Sequence, residues 1–203
     1  GQTHGGHSWM IMGLGLDTFG QTGGNSAFAN WNNLNSSDGM VRHWYDNLYK
    51  LINRANTVID MMDERTYITY SSAEKKAELR ATAVFFRAWS YRVLAGMYGN
   101  VPLLDHRATS ITTGYVPANR QEVWEFCKED FAYAAQNLPA KAEKPGQIVR
   151  AAADHYLAEV NLALGDFNGA VEASSRVIDG TDGDFHVMTT RFGSRAGEST
   201  DRY

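Results

Sequence analysis

From Asp38 onward, apolar residues recur every three to four positions, the spacing of one helix face. Val41, Trp44, Tyr45, Leu48, Leu51, Ile52, Ala55, Val58, Ile59 and Met62 predict a first helix from Asp38, its N-cap, to about Asp63. A second helix is predicted from about Ala73 to Tyr98. Ser71 or Ser72 can cap its start, Gly99 stops it, and Pro102 blocks a restart. Its face interleaves alanine with large rings: Ala81, Val84, Phe85, Ala88, Trp89, Tyr91, Leu94, Ala95 and Tyr98. That mixture suits a helix packed closely on several sides, and Phe86 is expected to be buried with the rest. Gly99 is expected to take a left-handed conformation that turns Val101-Pro102-Leu103 back onto the core. Residues 100–118 read as extended and turn-like. Asn119 caps a third helix, with Glu122 completing a capping box in which Asn replaces Ser or Thr. Its apolar face is Val123, Phe126, Cys127, Ala134, Ala135 and Leu138, and Pro139 follows. A fourth helix runs from about Arg150 to Leu164 and ends at Gly165. Asp166 opens a fifth, which continues through Ile178 to Gly180.

Three segments follow from this pattern. Residues 1–39 form a loop-rich cap, a possible ligand-contact region. Residues 40–180 form the helical scaffold, and residues 181–203 are the irregular start of a missing C-terminal half. In the cap, Gly5, Gly6, Gly13, Gly15, Gly20, Gly23 and Gly24 are turn-forming residues. Trp9, Phe19, Phe28 and Trp31 sit among them, and a disordered leader rarely carries such rings. The sequence ends at Tyr203 without closing an element, so the natural protein is expected to continue. Residue 1 opens into a Gly/His-rich loop rather than a signal peptide, as in a mature or trimmed chain.

Composition narrows the class. Of 203 residues, 43% are hydrophobic and 21% charged, which indicates a globular chain. The net charge of −4 argues against a nucleic-acid partner. A single cysteine excludes an internal disulfide, and Cys127, inside an apolar pattern, reads as a buried inert thiol. No apolar run approaches the ~20 residues that span a bilayer.

No specific catalytic constellation is present: no HExxH, no Walker loop, no CxxC pair and no GxSxG elbow. The chain is therefore read as a non-enzyme with no cofactor and no metal. His4 and His7 form an HxxH, best read as a terminal loop because no further ligands cluster nearby. Glu125, Glu129 and Asp130 beside Lys128 read as a solvated helix face. Arg54 and Arg87, inside apolar helix patterns, read as structural donors to backbone or carboxylate. One combination does point to a ligand. Sugars present C–H faces that stack on aromatic rings and hydroxyls that need amide or carboxylate partners. Trp31 is the best stacking candidate and Trp9 the second. Asn30, Asn32 and Asn33 are the nearest hydroxyl partners, and Asp17 is a weaker one. The alternative is that these rings plug the loops onto the helices.

Two resemblances add to this reading. Gly165-Asp166-Phe167 with Ala170 resembles the turn and second helix of a tetratricopeptide repeat, with Leu157, Ala158 and Asn161 in the first helix. Phe167 is expected to plug the gap between the two helices and Ala170 to allow their close crossing. Ser174 stands where an aromatic is usual. The longer resemblance is to the SusD/RagB family of outer-membrane nutrient-binding lipoproteins. Trp44-x-x-x-Leu48-Tyr49-x-x-Ile52-x-Arg54-Ala55-Asn56 resembles one family helix. Ala83-x-x-Phe86-Arg87-Ala88-x-x-Tyr91, followed by Tyr98-Gly99-Asn100-Val101-Pro102-Leu103, resembles the family hallmark. Phe85-Phe86 stands for the usual Phe-Leu, and Asn100 for the usual Asp. Pro117 through Pro139 resembles a third segment.

The resemblance implies an all-α, tetratricopeptide-like scaffold, an incomplete domain here, with a loop-rich N-terminal cap. It implies a lipid-anchored protein on the outer surface of the outer membrane, although the lipid-bearing cysteine is absent from this sequence. It implies an oligosaccharide or polysaccharide ligand, captured for a SusC-like TonB-dependent transporter in polysaccharide utilisation. A peptide-binding helical-repeat module of the same uptake type stays open. So does an enzyme whose active residues lie outside this sequence.

Overall fold

The computed structural model describes residues 35–183 and residue 185. Within them lie five helices: α1 (Gly39–Glu64), α2 (Ala73–Tyr98), α3 (Arg120–Asn137), α4 (Arg150–Leu164) and α5 (Phe167–Ile178). Among the described residues there is no strand, only an antiparallel bridge between Val101 and Ala118. The fold is all-α, built from tetratricopeptide-like hairpins. The chain separates into two compact units, Gly1–Leu51 and Ile52–Tyr203. In the first, Leu48 is buried and the Tyr45 and Tyr49 rings lie 4.8 Å apart, one helical turn from each other.

The helix ends follow their local chemistry. Ser72 caps α2 by accepting the Lys75 N–H at 3.1 Å. At α3 the capping box is complete. Glu122 N–H donates to Asn119 Oδ1 at 2.9 Å, and Asn119 N–H donates to Glu122 Oε2 at 2.8 Å. Gly165, at φ 77° and ψ 11°, is the left-handed residue that reverses the chain between α4 and α5. Asp166 then caps α5 through Gly169 N–H at 2.9 Å. Gly99 differs from expectation. Its φ is 76° but its ψ is −110°, outside the left-handed helical well, because the chain leaves α2 directly into the extended Val101 bridge. Only glycine tolerates that combination at low cost.

α2 is the central element, with eleven of its residues buried. It packs on α3, α3 packs on α4, and α4 packs on α5, with a smaller α2–α4 contact. Ile59 of α1 joins Ala83 and Val84 of α2, and Tyr133 of α3 packs against them. Aromatic rings join the middle of the stack. Phe85 meets Phe131 edge-on at 5.6 Å, and Phe131 stacks on Tyr156 at 5.5 Å. Each such pair contributes about 0.5–1.5 kcal/mol beyond area burial. Leu157, Ala158 and Asn161 of α4 are buried, as are Ala170 and Ala173 of α5, so small residues do set the α4–α5 crossing.

Several side chains depart from the sequence reading. Phe86 is 36% exposed whereas Phe85 is 3% exposed. Neighbouring helical residues point about 100° apart, so only one ring of the pair can enter this core. Val58 lies exposed because the apolar residues of α1 cover a wider arc than its buried side. Phe167 is 68% exposed and plugs no gap; Ala170 and Ala173 fill the crossing instead. Arg54 is exposed rather than a buried donor. Asp130 is buried, not solvated, because Arg87 reaches it from α2.

Phe85→Ala is expected to cost about 3–5 kcal/mol, and Phe86→Ala less than about 1 kcal/mol. Chemical denaturation of the two variants checks this. Equal losses would contradict the register of α2.

Candidate functional site

The best-defined polar site among the described residues is a cradle that α1 and α2 form for residues 104–108. Asn53, Asn56, Asp60 and Glu64 recur at helical spacing and share one stripe of α1, and Arg87 and Tyr91 do the same on α2. These side chains take up the backbone groups of an extended segment that has no sheet partner of its own. Asn56 Nδ2 donates to Leu104 O at 2.7 Å and to His106 O at 3.0 Å. Leu104 N–H donates to the Tyr91 hydroxyl at 2.7 Å, and that hydroxyl donates back to Leu104 O at 3.2 Å. Arg107 N–H donates to Asp60 Oδ2 and Ala108 N–H to Asn53 Oδ1, both at 2.8 Å. Arg107 Nη2 closes the row on Glu64 at 2.8 Å.

Arg87 lies beneath this segment. Its Nε and Nη2 donate to the two carboxylate oxygens of Asp130 at 2.7 and 2.8 Å. Nη1 donates to Asn56 Oδ1 at 3.0 Å and to Asp105 O at 3.2 Å. The guanidinium also sits 4.9 Å from the centre of the Phe126 ring. Burial disfavours its charge, but the Asp130 hydrogen bonds and charge outweigh that and hold its pKa above the ordinary value. Burial pushes the Tyr91 pKa up, so its hydroxyl stays protonated and available to donate. The sequence signal for the cradle was Asn56, a polar residue inside an apolar helical register. Asn53 and Asp60 carry no such signal, since polar residues on a helix usually face water.

Open clefts flank the helices among the described residues. One, of about 400 Å³, lies between α3, α4 and α5 and is lined by Gln136, Arg150, Asp154, Leu157, Arg176 and Asp182 among others. Another, of about 440 Å³, lies between the start of α3 and the end of α4, with Arg120, Gln121, Trp124, Ala163 and Leu164. Cys127 is fully buried, its Sγ 3.5 Å from Ala88 O, and burial pushes its thiol pKa up. Among the described residues no group of three or more His, Cys, Asp or Glu could hold a metal ion. No helix there is long and apolar enough to cross a membrane. The sugar-contact candidates Trp9, Asp17, Asn30, Trp31, Asn32 and Asn33 all lie outside the described residues, as do His4 and His7.

The cradle has a pH window. His106 Nδ1 lies 2.9 Å from Asp60 Oδ1. The Asp60 hydrogen bond raises the His106 pKa above its ordinary 6.5, so that contribution is full below about 6.5 and is lost as pH rises through the raised value. For Asp60, burial pushes the pKa up, but the Arg107 N–H and His106 outweigh it and leave it below 3.8. That contribution is full above about 3.8 and is lost as pH falls through the lowered value. Hydrogen exchange at the Arg107 and Ala108 amides, corrected for intrinsic rate, should therefore be slowest near about pH 5 and faster near about pH 8. Equal protection at both would contradict the pairing.

Residues 16–162 match the profile of a SusD-like family described as starch-binding and associating with the outer membrane. A SusD-like protein P2 of Formosa agariphila is 29% identical over 150 residues, covering 72% of this chain and 28% of that protein. A SusD-like protein of Bacteroides ovatus is 30% identical over 125 residues, covering 61% of this chain and 22% of its own length. The chain thus spans less than a third of these curated relatives. Among solved structures, a laminarin-binding SusD-like protein superposes with a TM-score of 0.67 at 23% identity, covering 83% of this chain and 35% of that one. A SusD-like carbohydrate-binding protein of Bacteroides fragilis gives 0.66 at 24% identity, covering 77% and 31%. A structure described as being with xylogluco-oligosaccharide gives 0.68 at 22% identity, covering 76% and 32%. These likenesses establish a shared helical fold.

Proposed function

Because the chain belongs to this SusD-like family, we propose that the full-length protein captures oligosaccharide at the cell surface and delivers it to a TonB-dependent transporter of the SusC type. The observation that carries the reading is the family match over residues 16–162, which covers α1 to α3 and most of α4 and reaches into the glycine-rich segment before them. Similar proteins, one laminarin-binding and one solved with xylogluco-oligosaccharide, favour a glycan over a peptide. The protein is a binder and not an enzyme on this reading. It acts from the outer membrane, held there by a lipid anchor.

The scaffold's part is rigidity. A weak, reversible sugar site needs its rings held in place before the ligand arrives, since ordering loops on binding subtracts from affinity. The capped helices and the 104–108 segment, bonded at the Leu104, Arg107 and Ala108 amides and the Leu104, Asp105 and His106 carbonyls, are ordered in this way within the second unit. The glycan contacts are assigned to residues 9–33. Trp31 is the first stacking ring for a sugar face and Trp9 the second, while Asn30, Asn32 and Asn33, and more weakly Asp17, bond hydroxyls.

In the full-length protein, Trp31→Ala should weaken glycan binding several-fold, about 1 kcal/mol or somewhat more, with the melting temperature nearly unchanged. A glycan array followed by calorimetry on the best ligand checks it. Intact affinity with a collapsed melting temperature would make Trp31 a core plug. Failure of every glycan to bind the folded protein would overturn the carbohydrate reading itself.

A further inference from the structure

The cleft between α3, α4 and α5 is lined by charged groups, and two of its carboxylates have oxygens that receive no hydrogen bond. Asp154 on α4 and Asp182 in the turn after α5 are both fully buried. Asp154 Oδ1 accepts from Arg176 Nε at 3.0 Å and also from Arg176 Nη2. Its Oδ2 receives no hydrogen bond from a protein donor, and neither oxygen of Asp182 receives one. The backbone draws the same groups together, because Asp182 N–H donates to the Arg176 carbonyl at 3.1 Å. Two buried carboxyl groups lining one cleft with unpartnered oxygens do not both ionise readily; a proton kept by one can be donated to the other.

The other charged groups facing the pair are few. α4 contributes Arg150, whose buried Nε is itself unpartnered. α5 contributes Arg176, with Glu172 near it. α3 contributes only the neutral Gln136 and two alanines. Arg176 is already committed to Asp154, so deprotonation of the pair leaves Asp182 facing a like charge.

We propose that Asp154 and Asp182 share one proton, and that this proton latches the turn after α5 onto α4 under acidic conditions and releases it as the pH rises toward neutral. In the closed state the protonated carboxyl of Asp182 donates to Asp154 Oδ2. In the open state the proton has passed to solvent, and the pair carries two negative charges in place of one. Burial first, and Asp154 second, push the Asp182 pKa up to about 6 from an ordinary 3.8. The contribution is therefore complete below about 3.8, declines as the unfolded carboxyl ionises, and is gone once pH has risen through about 6. A displacement of about two units corresponds to about a 100-fold change in the opening equilibrium. The latch sets how the chain leaves α5.

The test is a carboxyl-carbon NMR titration of the intact protein, paired with hydrogen exchange at the Asp182 amide. The pair should titrate with one step near about pH 6, and protection at Asp182 should fall by up to about 100-fold between about pH 4 and pH 8 after correction for intrinsic rate. Asp182→Asn, whose side-chain amide donates as the protonated carboxyl does, should keep protection at both pH values. Asp182→Ala should lose it at both. If Asp182→Asn does not fold, Asp154→Asn makes the same test from the other side. Titration of both wild-type carboxyls below about pH 4.5 would overturn the proposal, as would an Asn variant with the wild-type pH dependence.

Discussion

A guanidinium buried in a helical core has to be answered on every side, and at Arg87 that requirement joins three helices to a loop. Two of its nitrogens face Asp130 on α3, and the third faces Asn56 on α1 and the Asp105 carbonyl. Taking such an ion from water costs several kcal/mol, which only near-complete hydrogen bonding offsets. The pair is therefore poor evidence for added stability and good evidence for position. If α2 slid by a single residue, Arg87 would lose its carboxylate. The Asn56 amide completes the arrangement, accepting from Arg87 while donating to Leu104 and His106. Through that one side chain the core pair and the loop share a single geometry.

The loop gains from this an order that its own sequence does not provide. Val101 to Ala108 makes one backbone bridge, yet its polar groups are taken up by Asn53, Asn56, Asp60, Arg87 and Tyr91. The exposed ion pairs Arg80–Asp63, Arg92–Glu159 and Lys128–Asp166 add little, because solvent screens them.

Much of the scaffold was legible in the chain. The span of α2 and the caps at Ser72, Asn119 and Asp166 follow from local chemistry that needs no distant partner, and the structure has them. What the sequence could not fix was direction around a helix. Phe85 and Phe86 are equally apolar, and only packing against Phe131 and Tyr156 selects the first. Asp130 sits among Glu125, Lys128 and Glu129 and looks solvated, because its partner lies 43 residues away in the sequence. Phe167 fits a repeat pattern, but the alanines after it fill the crossing. The sugar-contact residues were a compositional reading of positions 9–33, where rings and amides coincide, and they remain a proposal.

The central claim is that Arg87 fixes the 104–107 segment through Asn56 and Asp105, with Asp130 as its counter-ion. A double-mutant cycle of Arg87→Met and Asp130→Leu, read by denaturation and by hydrogen exchange at the Leu104 and Arg107 amides, tests it most directly. Arg87→Met alone should cost about 3–5 kcal/mol, because it leaves Asp130 charged and buried. The double variant should recover most of that stability while the loop amides stay poorly protected, since the donor to Asn56 and Asp105 is gone. A single variant that loses less than about 1 kcal/mol and keeps its loop protected would contradict the account.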